Sequence, residues 1–491
     1  MTSSRSFFQK LLANFPWIIF SLITAFALLW KLGSGTLAAW DEAIYAQVSK
    51  EIVQSGSWLT LHWQHAPWFE KPPLFMWITA AIYRVVGINE FAARFPSALS
   101  GVLLLAVTYN IGRIAYSKRA GFLAAVILVV CYHFLSFSRF GTMEVMLTLF
   151  TYTAVYAYLR ARNDQRWWYL VWAACGLGLM TKGAAGIIAP VALMLALFMD
   201  KRRSELKSRH FWQACVVALI IVLPWHVLMY ARHGQEFIRE YFGYHVIARA
   251  TQTLEGHPTS YLYYIGRLID GFFPIILIVP FAIVSEIRNR RKGGNASWVL
   301  AAFAVLTILV YTAVHTRRPW YIVPIYPALA ILVGAFFIRF RQAYPVRPIV
   351  RRTITVCIVV LLALGGLYSV TSLMLNRRTE DPLAQLAGLA RVASPAERGP
   401  LILFANGHYY YAQVPLFYSD RPVVQAYGSI PPASEDAKRY VSFIPLAEVV
   451  DGSEKDIILR RDEQQHLAAQ YEIRVIAGMD ELIYGKIKRK Q

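Results

Sequence analysis

The chain has 491 residues, of which 57% are hydrophobic and only 16% charged. A soluble protein carries about 25% charge, so this composition excludes an ordinary soluble globule and describes a polytopic membrane bundle with a smaller appended domain. The net charge of +21 lies wholly in residues 1–376, where 35 basic residues face 14 acidic ones, while 377–491 balances 15 against 15. Cations gathered between apolar runs follow the positive-inside rule and argue against a nucleic-acid surface.

Apolar runs fall near 15–32, 92–112, 119–137, 143–159, 167–181, 183–199, 211–230, 261–285, 297–314, 319–338 and 353–373. Each approaches the length a helix needs to cross a bilayer, which predicts about eleven spans. Arg5 and Lys10 precede the first run, which is read as an uncleaved span. Basic clusters recur at every second loop: Arg113 to Arg119, Arg160 to Arg166, Lys201 to Arg209, Arg288 to Lys292 and Arg339 to Arg352. The N-terminus is therefore expected in the cytoplasm of a multi-pass inner-membrane protein, with the tail outside. Leu74 to Val86 is apolar but too short to span, and reads as an interfacial helix.

This reading divides the chain into a bundle, 1–376, whose first outer loop is 33–91, and an extracytoplasmic domain, 377–491. Leu401 to Phe404, Tyr440 to Ile444 and Tyr471 to Ile476 read as short strands, so the tail is expected to be a small α/β domain. The fold class is mainly α. All four cysteines fall within expected spans, which leaves no disulfide framework outside the membrane.

The candidate site residues crowd the expected outer face. Asp41 and Glu42 open an amphipathic pattern with Ile44, Tyr45, Val48 and Ile52 on one face and Gly56 as its stop. Asp41 reads either as the N-cap of that helix or as a general base that takes a proton from a hydroxyl nucleophile. Pro72-Pro73 restricts the backbone next to Glu70 and Lys71, although a lysine at a membrane edge also serves by snorkelling. Glu144 opens the fourth span, where a helix N-terminus favours a carboxylate anyway. Thr181-Lys182-Gly183 is a tight turn that exposes a cation, and Arg317-Arg318 stands against the usual charge bias, as a group facing phosphate would. His245 and Arg249 share a helix face, with His257 following. Glu70 with His245 supplies only two ligands for a divalent ion.

The ordered set Asp41-Glu42…Tyr45, Phe69-Glu70-Lys71-Pro72-Pro73-Leu74, Ser138-Arg139…Glu144, Leu179 to Gly183, Pro224-Trp225-His226-Val227 and Pro319 to Pro324 resembles the membrane glycosyltransferases of the GT-C fold. That family includes protein O-mannosyltransferases and aminoarabinose–lipid A transferases, and the resemblance runs from about residue 40 to 335. It implies a transferase that takes a sugar from a polyprenyl or dolichyl phosphate and moves it to a lipid, glycan or protein acceptor in the cell envelope. It further implies Asp41 as the catalytic aspartate, with Glu144 where many members have Asp. Lys71 and Arg249 match cations that meet the lipid phosphate, and Tyr321 a tyrosine near the donor. Glu70 and His245 match a metal pair seen in part of the family, which would take zinc, magnesium or manganese; no organic cofactor is implied.

The chemistry agrees independently. A lipid phosphate is already a good leaving group, so one base plus cations suffices, without the separate acid a glycosidase needs. Direct displacement inverts the anomeric centre. The expected arrangement is Asp41 as base, Lys71, Arg249, Arg318 and Tyr321 at the phosphate, and Glu42, Tyr45 and Lys182 in support. The alternative from another class is a lipid or sugar transporter, which predicts functional charges in broken helices near the midplane. Asp270 is the main charge inside the expected spans.

Overall fold

The computed structural model describes residue 22 and residues 24–252, 260–289, 296–343, 348–375, 380–393, 399–406, 412–429 and 441–490. Two compact units divide the chain. One comprises Met1–Leu32, Phe69–Phe75 and Arg94–Asn376; the other comprises Gly33–Trp68, Met76–Ala93 and Arg377–Gln491.

The first unit is a helix bundle. Among the described residues, Glu90–Ala115, Trp167–Met199, Arg209–Thr251, Pro319–Gln342 and Thr355–Leu375 are long and apolar enough to cross a membrane. Two bent pairs raise that number to as many as seven: Lys118–Val129 with Tyr132–Ser138, bent by 69°, and Tyr263–Phe272 with Ile275–Arg288, bent by 109°. The count stays below the expected eleven for identifiable reasons. The helix Glu144–Arg160 has 17 residues, and Val299–Ala313 is short. The run 15–32 is described only at residue 22 and residues 24–32.

The stretch Trp167–Met199 holds two of the expected runs. Gly183, at φ +55°, ends the helix Trp167–Lys182, and a short 3-10 turn leads into Ile188–Met199. The turn sends the chain back on itself. Gly186 lies so close to Leu179 that a Cβ there would sit 2.7 Å from its backbone. Asp200, past the second helix, accepts a hydrogen bond from the Tyr158 hydroxyl at 2.8 Å.

Tyr152 pins the middle of the bundle: its buried hydroxyl donates to the Pro324 carbonyl at 2.8 Å and accepts from the Ala328 N–H at 3.0 Å. Two cations of the basic clusters have carboxylate partners. Arg202 pairs with Glu205 at 3.1 Å and Arg339 with Glu286 at 2.5 Å. Asp270 is likewise held, accepting from Tyr368 at 2.8 Å and lying 3.2 Å from His133, whose other ring nitrogen meets Tyr326 at 2.6 Å. All four cysteines are free thiols.

In the second unit, Asp41–Ser55 forms a helix that stops where Gly56, at φ +72°, donates its N–H to Ile52. Two expectations need correction here. Trp40, not Asp41, is the N-cap, and no side chain caps this end; Asp41 is the first helical residue. The helix is also not half-exposed, because every residue from Glu42 to Ile52 is buried. Lys50 donates to the Phe417 carbonyl at 2.6 Å and pairs with Asp420 at 2.8 Å, and Gln64 accepts from the Val423 N–H at 3.1 Å. A two-stranded antiparallel ribbon follows, β1 (His62–Trp63) with β2 (Ala66–Pro67). The apolar segment Leu74–Val86 is a helix over the expected bounds.

The tail folds around one six-stranded sheet of β3 (Leu401–Phe404), β4 (Val423–Tyr427), β5 (Ser442–Pro445), β6 (Lys455–Arg460), β7 (Tyr471–Met479) and β8 (Leu482–Arg489). Its order is β5-β4-β3-β6-β8-β7, the first four parallel and the last two joined antiparallel. Sequence patterning located β3, β5 and β7 but missed the other three. The reason is buried charge. Asp456 of β6 is fully buried and binds Arg421 at 2.7 Å, Lys486 of β8 at 2.6 Å and the Tyr484 hydroxyl at 2.8 Å. Burial alone would raise this carboxyl's pKa, but those three donors hold it below the ordinary value. The network turns polar letters into core residues and hides the alternation that marks a strand.

Candidate functional site

Loops that the charge pattern assigned to the outer side converge at one end of the bundle. Phe69 packs edge-on against His233 and Phe237, with ring centroids 5.0 and 5.6 Å apart, and so anchors the segment Phe69–Phe75. Glu70 is buried beside it. Its Oε1 accepts from Lys71 Nζ at 3.1 Å and lies 3.5 Å from an Arg249 guanidinium nitrogen. Burial pushes the Glu70 carboxyl up, but Lys71, Arg249 and His245 together pull it further down, to well below the usual carboxylate range.

A second ion pair stands close by. Lys182, the last residue of its helix, reaches Glu144 Oε1 at 2.5 Å, and both side chains are buried. Glu144 is the first residue of Glu144–Arg160, so its carboxylate stands at a helix N-terminus. Its second oxygen has no partner among the described residues. Lys182 also lies 5.0 Å over the Tyr321 ring, which stacks on Tyr311 at 4.7 Å. Next to it, Gly183 leaves room for the Tyr241 hydroxyl, which a Cβ would approach to 2.7 Å.

His245 and Arg249 come from the helical return after Gly234, a residue at φ +52° that breaks Arg209–Phe237. The segment Ile238–Ala248 is wound as a π-helix and leads directly into Arg249–Thr251. Tyr241 of this segment meets His226 of the outgoing helix at 3.2 Å.

These groups line a cavity of about 250 Å³ whose wall includes Glu70, Lys71, Lys182, Tyr241, His245, Arg249, Tyr311 and Tyr321. Three cations against the carboxylates of Glu70 and Glu144 leave a net +1 before His245 is counted. The cavity is smaller than the roughly 300–1,000 Å³ typical of drug-sized ligands.

The sequence-derived set thus assembles in part. Lys71, Lys182, Arg249 and Tyr321 share the cavity with Glu70 and His245, and Glu144 joins through Lys182. Arg318 is not among the lining residues; its guanidinium sits 5.3 Å over Trp320. Asp41, Glu42 and Tyr45 belong to the second unit. There Asp41 is half-buried, Glu42 accepts from the Ala38 N–H at 2.7 Å, and Tyr45 packs edge-on against Trp68 at 6.4 Å. His257 lies outside the described residues. Tyr311 was missed, since it reads as one more residue of an apolar run. Tyr241 carried a signal, as an aromatic residue of the loop that holds His245 and Arg249.

Glu70 and His245 both line the cavity and supply two ligands, fewer than a metal centre uses, and Glu70 Oε1 accepts from Lys71 and lies 3.5 Å from Arg249, whose charges oppose a cation there. Among the described residues no group of three or more His, Cys, Asp or Glu comes together as a metal site.

A family profile described as dolichyl-phosphate-mannose-protein mannosyltransferase matches residues 70–228. An undecaprenyl phosphate-alpha-4-amino-4-deoxy-L-arabinose arabinosyl transferase of Erwinia tasmaniensis is 28% identical over 324 residues, which cover 65% of this chain and 58% of that protein. The chain therefore spans about three fifths of the length of the curated relatives it matches. ArnT from Cupriavidus metallidurans in the apo state superposes with a TM-score of 0.77 at 20% identity, covering 96% of this chain and 98% of that one. The Archaeoglobus fulgidus oligosaccharyltransferase in the apo form matches at 0.64 and 12% identity, over 85% of this chain and 65% of its own. At these identities the structural likenesses establish a shared fold.

Proposed function

We propose that this chain is a membrane glycosyltransferase of the GT-C family, which includes ArnT-like and protein O-mannosyltransferase-like enzymes, and that it transfers a sugar from a polyprenyl phosphate to a lipid, glycan or protein acceptor on the outer face of the membrane. The observation that carries the proposal is the cavity of Lys71, Lys182, Arg249 and Tyr321, a net-positive pocket at one end of an apolar bundle. The name of the arabinosyl transferase relatives favours a pentose, 4-amino-4-deoxy-L-arabinose, as the donor sugar, and lipid A as the first acceptor to examine.

In this reading the donor's phosphodiester, with one negative charge, sits against Lys71 and Arg249. Asp41 takes the proton from the acceptor hydroxyl as that oxygen attacks the anomeric carbon. The bond from the anomeric carbon to the phosphate oxygen breaks, and its electron pair leaves with the phosphate, which becomes a dianionic monoester. The configuration inverts. Charge grows on the phosphate as the bond breaks, so preorganised cations there stabilise the transition state more than the bound donor. Glu144 positions Lys182, and Glu42 and Tyr45 fix the helix that starts at Asp41. No step is routed through a metal.

The transporter alternative predicts functional charges in broken helices near the midplane, whereas these cations converge at one end of the bundle and Asp270 is bound to Tyr368 and His133. The test is turnover of a panel of undecaprenyl-phosphate pentoses and hexoses by purified protein with lipid A as acceptor. Wild type should consume a donor and Asp41→Asn should not. An Asp41→Asn protein that transfers at the wild-type rate removes Asp41 as base, and a folded wild type inert toward every donor removes the transferase reading.

A further inference from the structure

The tail sheet has a change of winding direction that no part of the proposed mechanism uses. From β3 the chain steps outward to β4 and then β5; it then crosses back to add β6 on the opposite side of β3. In parallel sheets such a reversal opens a crevice beyond the carboxyl ends of the strands. A crevice of about 680 Å³ lies there. Its walls come from the residues that end or follow all four parallel strands, among them Asn406 after β3, Tyr427 at the end of β4, Leu446 after β5 and Asp462 after β6.

Such crevices commonly hold nucleotides, whose phosphates bind backbone N–H groups exposed by a glycine-rich turn. This one is closed to a phosphate. The buried Glu463 carboxylate spans the reversal, accepting the Asn406 N–H at 3.1 Å through one oxygen and the Arg460 N–H at 3.2 Å through the other. The amides a phosphate would use are therefore bonded to a fixed negative charge. Arg460 is committed as well, pairing with Glu481 at 3.1 Å and with Asp462 at 3.4 Å. β6 runs directly into the helix Arg461–Leu467, whose first residues are Arg461-Asp462-Glu463-Gln464, with no glycine.

The walls carry the side chain of Asn406, the Asp462 carboxylate, which accepts the Glu463 N–H at 3.0 Å, the His466 imidazole, whose Nδ1 lies 3.0 Å from the Asp462 carbonyl, and the half-buried ring of Tyr427, in a space of ligand size. Planar acceptors and donors match vicinal hydroxyls, and an aromatic face matches the C–H face of a sugar ring. The negative balance tolerates an amino sugar and repels a phosphate. We propose that this crevice is a saccharide-binding site, which holds a neutral or amino sugar of the acceptor while transfer occurs elsewhere. The acceptor role rests on the transferase reading; the binding does not.

The experiment uses the full chain in detergent, with a soluble glucosamine disaccharide, the same disaccharide carrying acyl chains, and uridine monophosphate as probes. Binding is read by saturation-transfer NMR and calorimetry, for wild type, Tyr427→Ala and the milder, exposed Asp462→Asn. The disaccharide should bind wild type and weaken about tenfold in each variant, a loss equivalent to one good contact. Uridine monophosphate should not bind. Saturation by the soluble form upholds a site for free glycan, and saturation by the acylated form alone upholds one for a lipid-borne acceptor. Where transfer is measurable, the variants should raise KM for the acceptor and leave KM for the donor unchanged. Absence of disaccharide binding in both forms, equal binding by wild type and both variants, or binding of the nucleotide instead would overturn the proposal. If the disaccharide binds and no donor turns over, the crevice stands and the transferase reading falls. If transfer proceeds and neither disaccharide binds, the transferase reading stands and the crevice falls.

Discussion

Replacing Lys71 by Met tests how the cavity would act on the leaving phosphate. Lys71 lies 3.1 Å from Glu70 and lines the cavity with Arg249 and Lys182. In the proposed reaction the phosphate passes from one negative charge to two. A unit charge about 4 Å from a lysine, in surroundings of effective dielectric about 20, is worth about 4 kcal/mol. If roughly half of the second charge has developed at the transition state, Lys71→Met loses about 2 kcal/mol there beyond its loss in the ground state, which is about 30-fold in kcat. Three measurements should respond in order of the charge involved. The fall in kcat, which reads only the half charge added at the transition state, should be the smallest; donor KM, which reads the full charge of the bound phosphodiester, should rise more; and inhibition by free undecaprenyl phosphate, a dianion, should weaken more than donor binding. The assay is transfer of labelled sugar in detergent, with undecaprenyl phosphate titrated as product inhibitor. Lys71→Arg, which keeps the charge, should recover most of kcat. A Lys71→Met protein with raised KM alone, and kcat and product inhibition unchanged, would refute this account, because Lys71 would then serve only to neutralise Glu70.

The other predictions concern the groups around that lysine. Lys182→Met or Glu144→Gln alone leaves one buried charge unpaired and should each cost about 3–5 kcal/mol, whereas the double variant should recover much of the loss; thermal unfolding in detergent measures this, and simply additive losses would contradict a coupled pair. Glu70 titrates below its ordinary value of 4.5 in the folded chain, so its stabilising contribution is present above that pH and is lost as the pH falls toward the lowered pKa. Wild type should therefore lose stability below about pH 4.5 more steeply than Glu70→Gln, and parallel acid profiles would count against the Lys71–Glu70–Arg249 cluster. Chelation with EDTA should leave transfer unchanged, since Lys71 and Arg249 already neutralise Glu70; activity lost to chelator and restored by zinc, magnesium or manganese would establish Glu70 and His245 as ligands.

The bundle was legible from sequence because membrane helices announce themselves by composition, and the cavity because its charges fall in loops where charge is costly. Lys71, Lys182, Arg249 and Tyr321 come from four separate segments of the chain, yet they line one cavity. What failed to read was local geometry. Asp41 has the chemistry of an N-cap, but Trp40 at φ +67° occupies that position, a conformation no propensity would assign to tryptophan. Arg318 looked as suitable for phosphate as Arg249, and the two differ only in where short helical turns point them. Strands β4, β6 and β8 were hidden because Gln425, Asp456 and Lys486 are buried despite being polar.

Each residue of the cavity also satisfies an ordinary structural role, which explains why single motifs were ambiguous. Glu144 suits a helix N-terminus, Lys71 neutralises Glu70, and Tyr321 stacks on Tyr311. These roles serve the proposed chemistry. Three unopposed cations would bind the monoanionic donor strongly and the dianionic product more strongly still, so release of product would limit turnover. The two carboxylates reduce the resting charge to +1 while leaving each cation within reach of a phosphate. They also fix Lys71 and Lys182 by hydrogen bonds before any ligand arrives, which lowers the reorganisation needed as charge develops. In the proposed reaction a cavity so balanced would bind its donor moderately and respond most to the charge that appears when the sugar leaves, with Glu70 and Glu144 acting through Lys71 and Lys182.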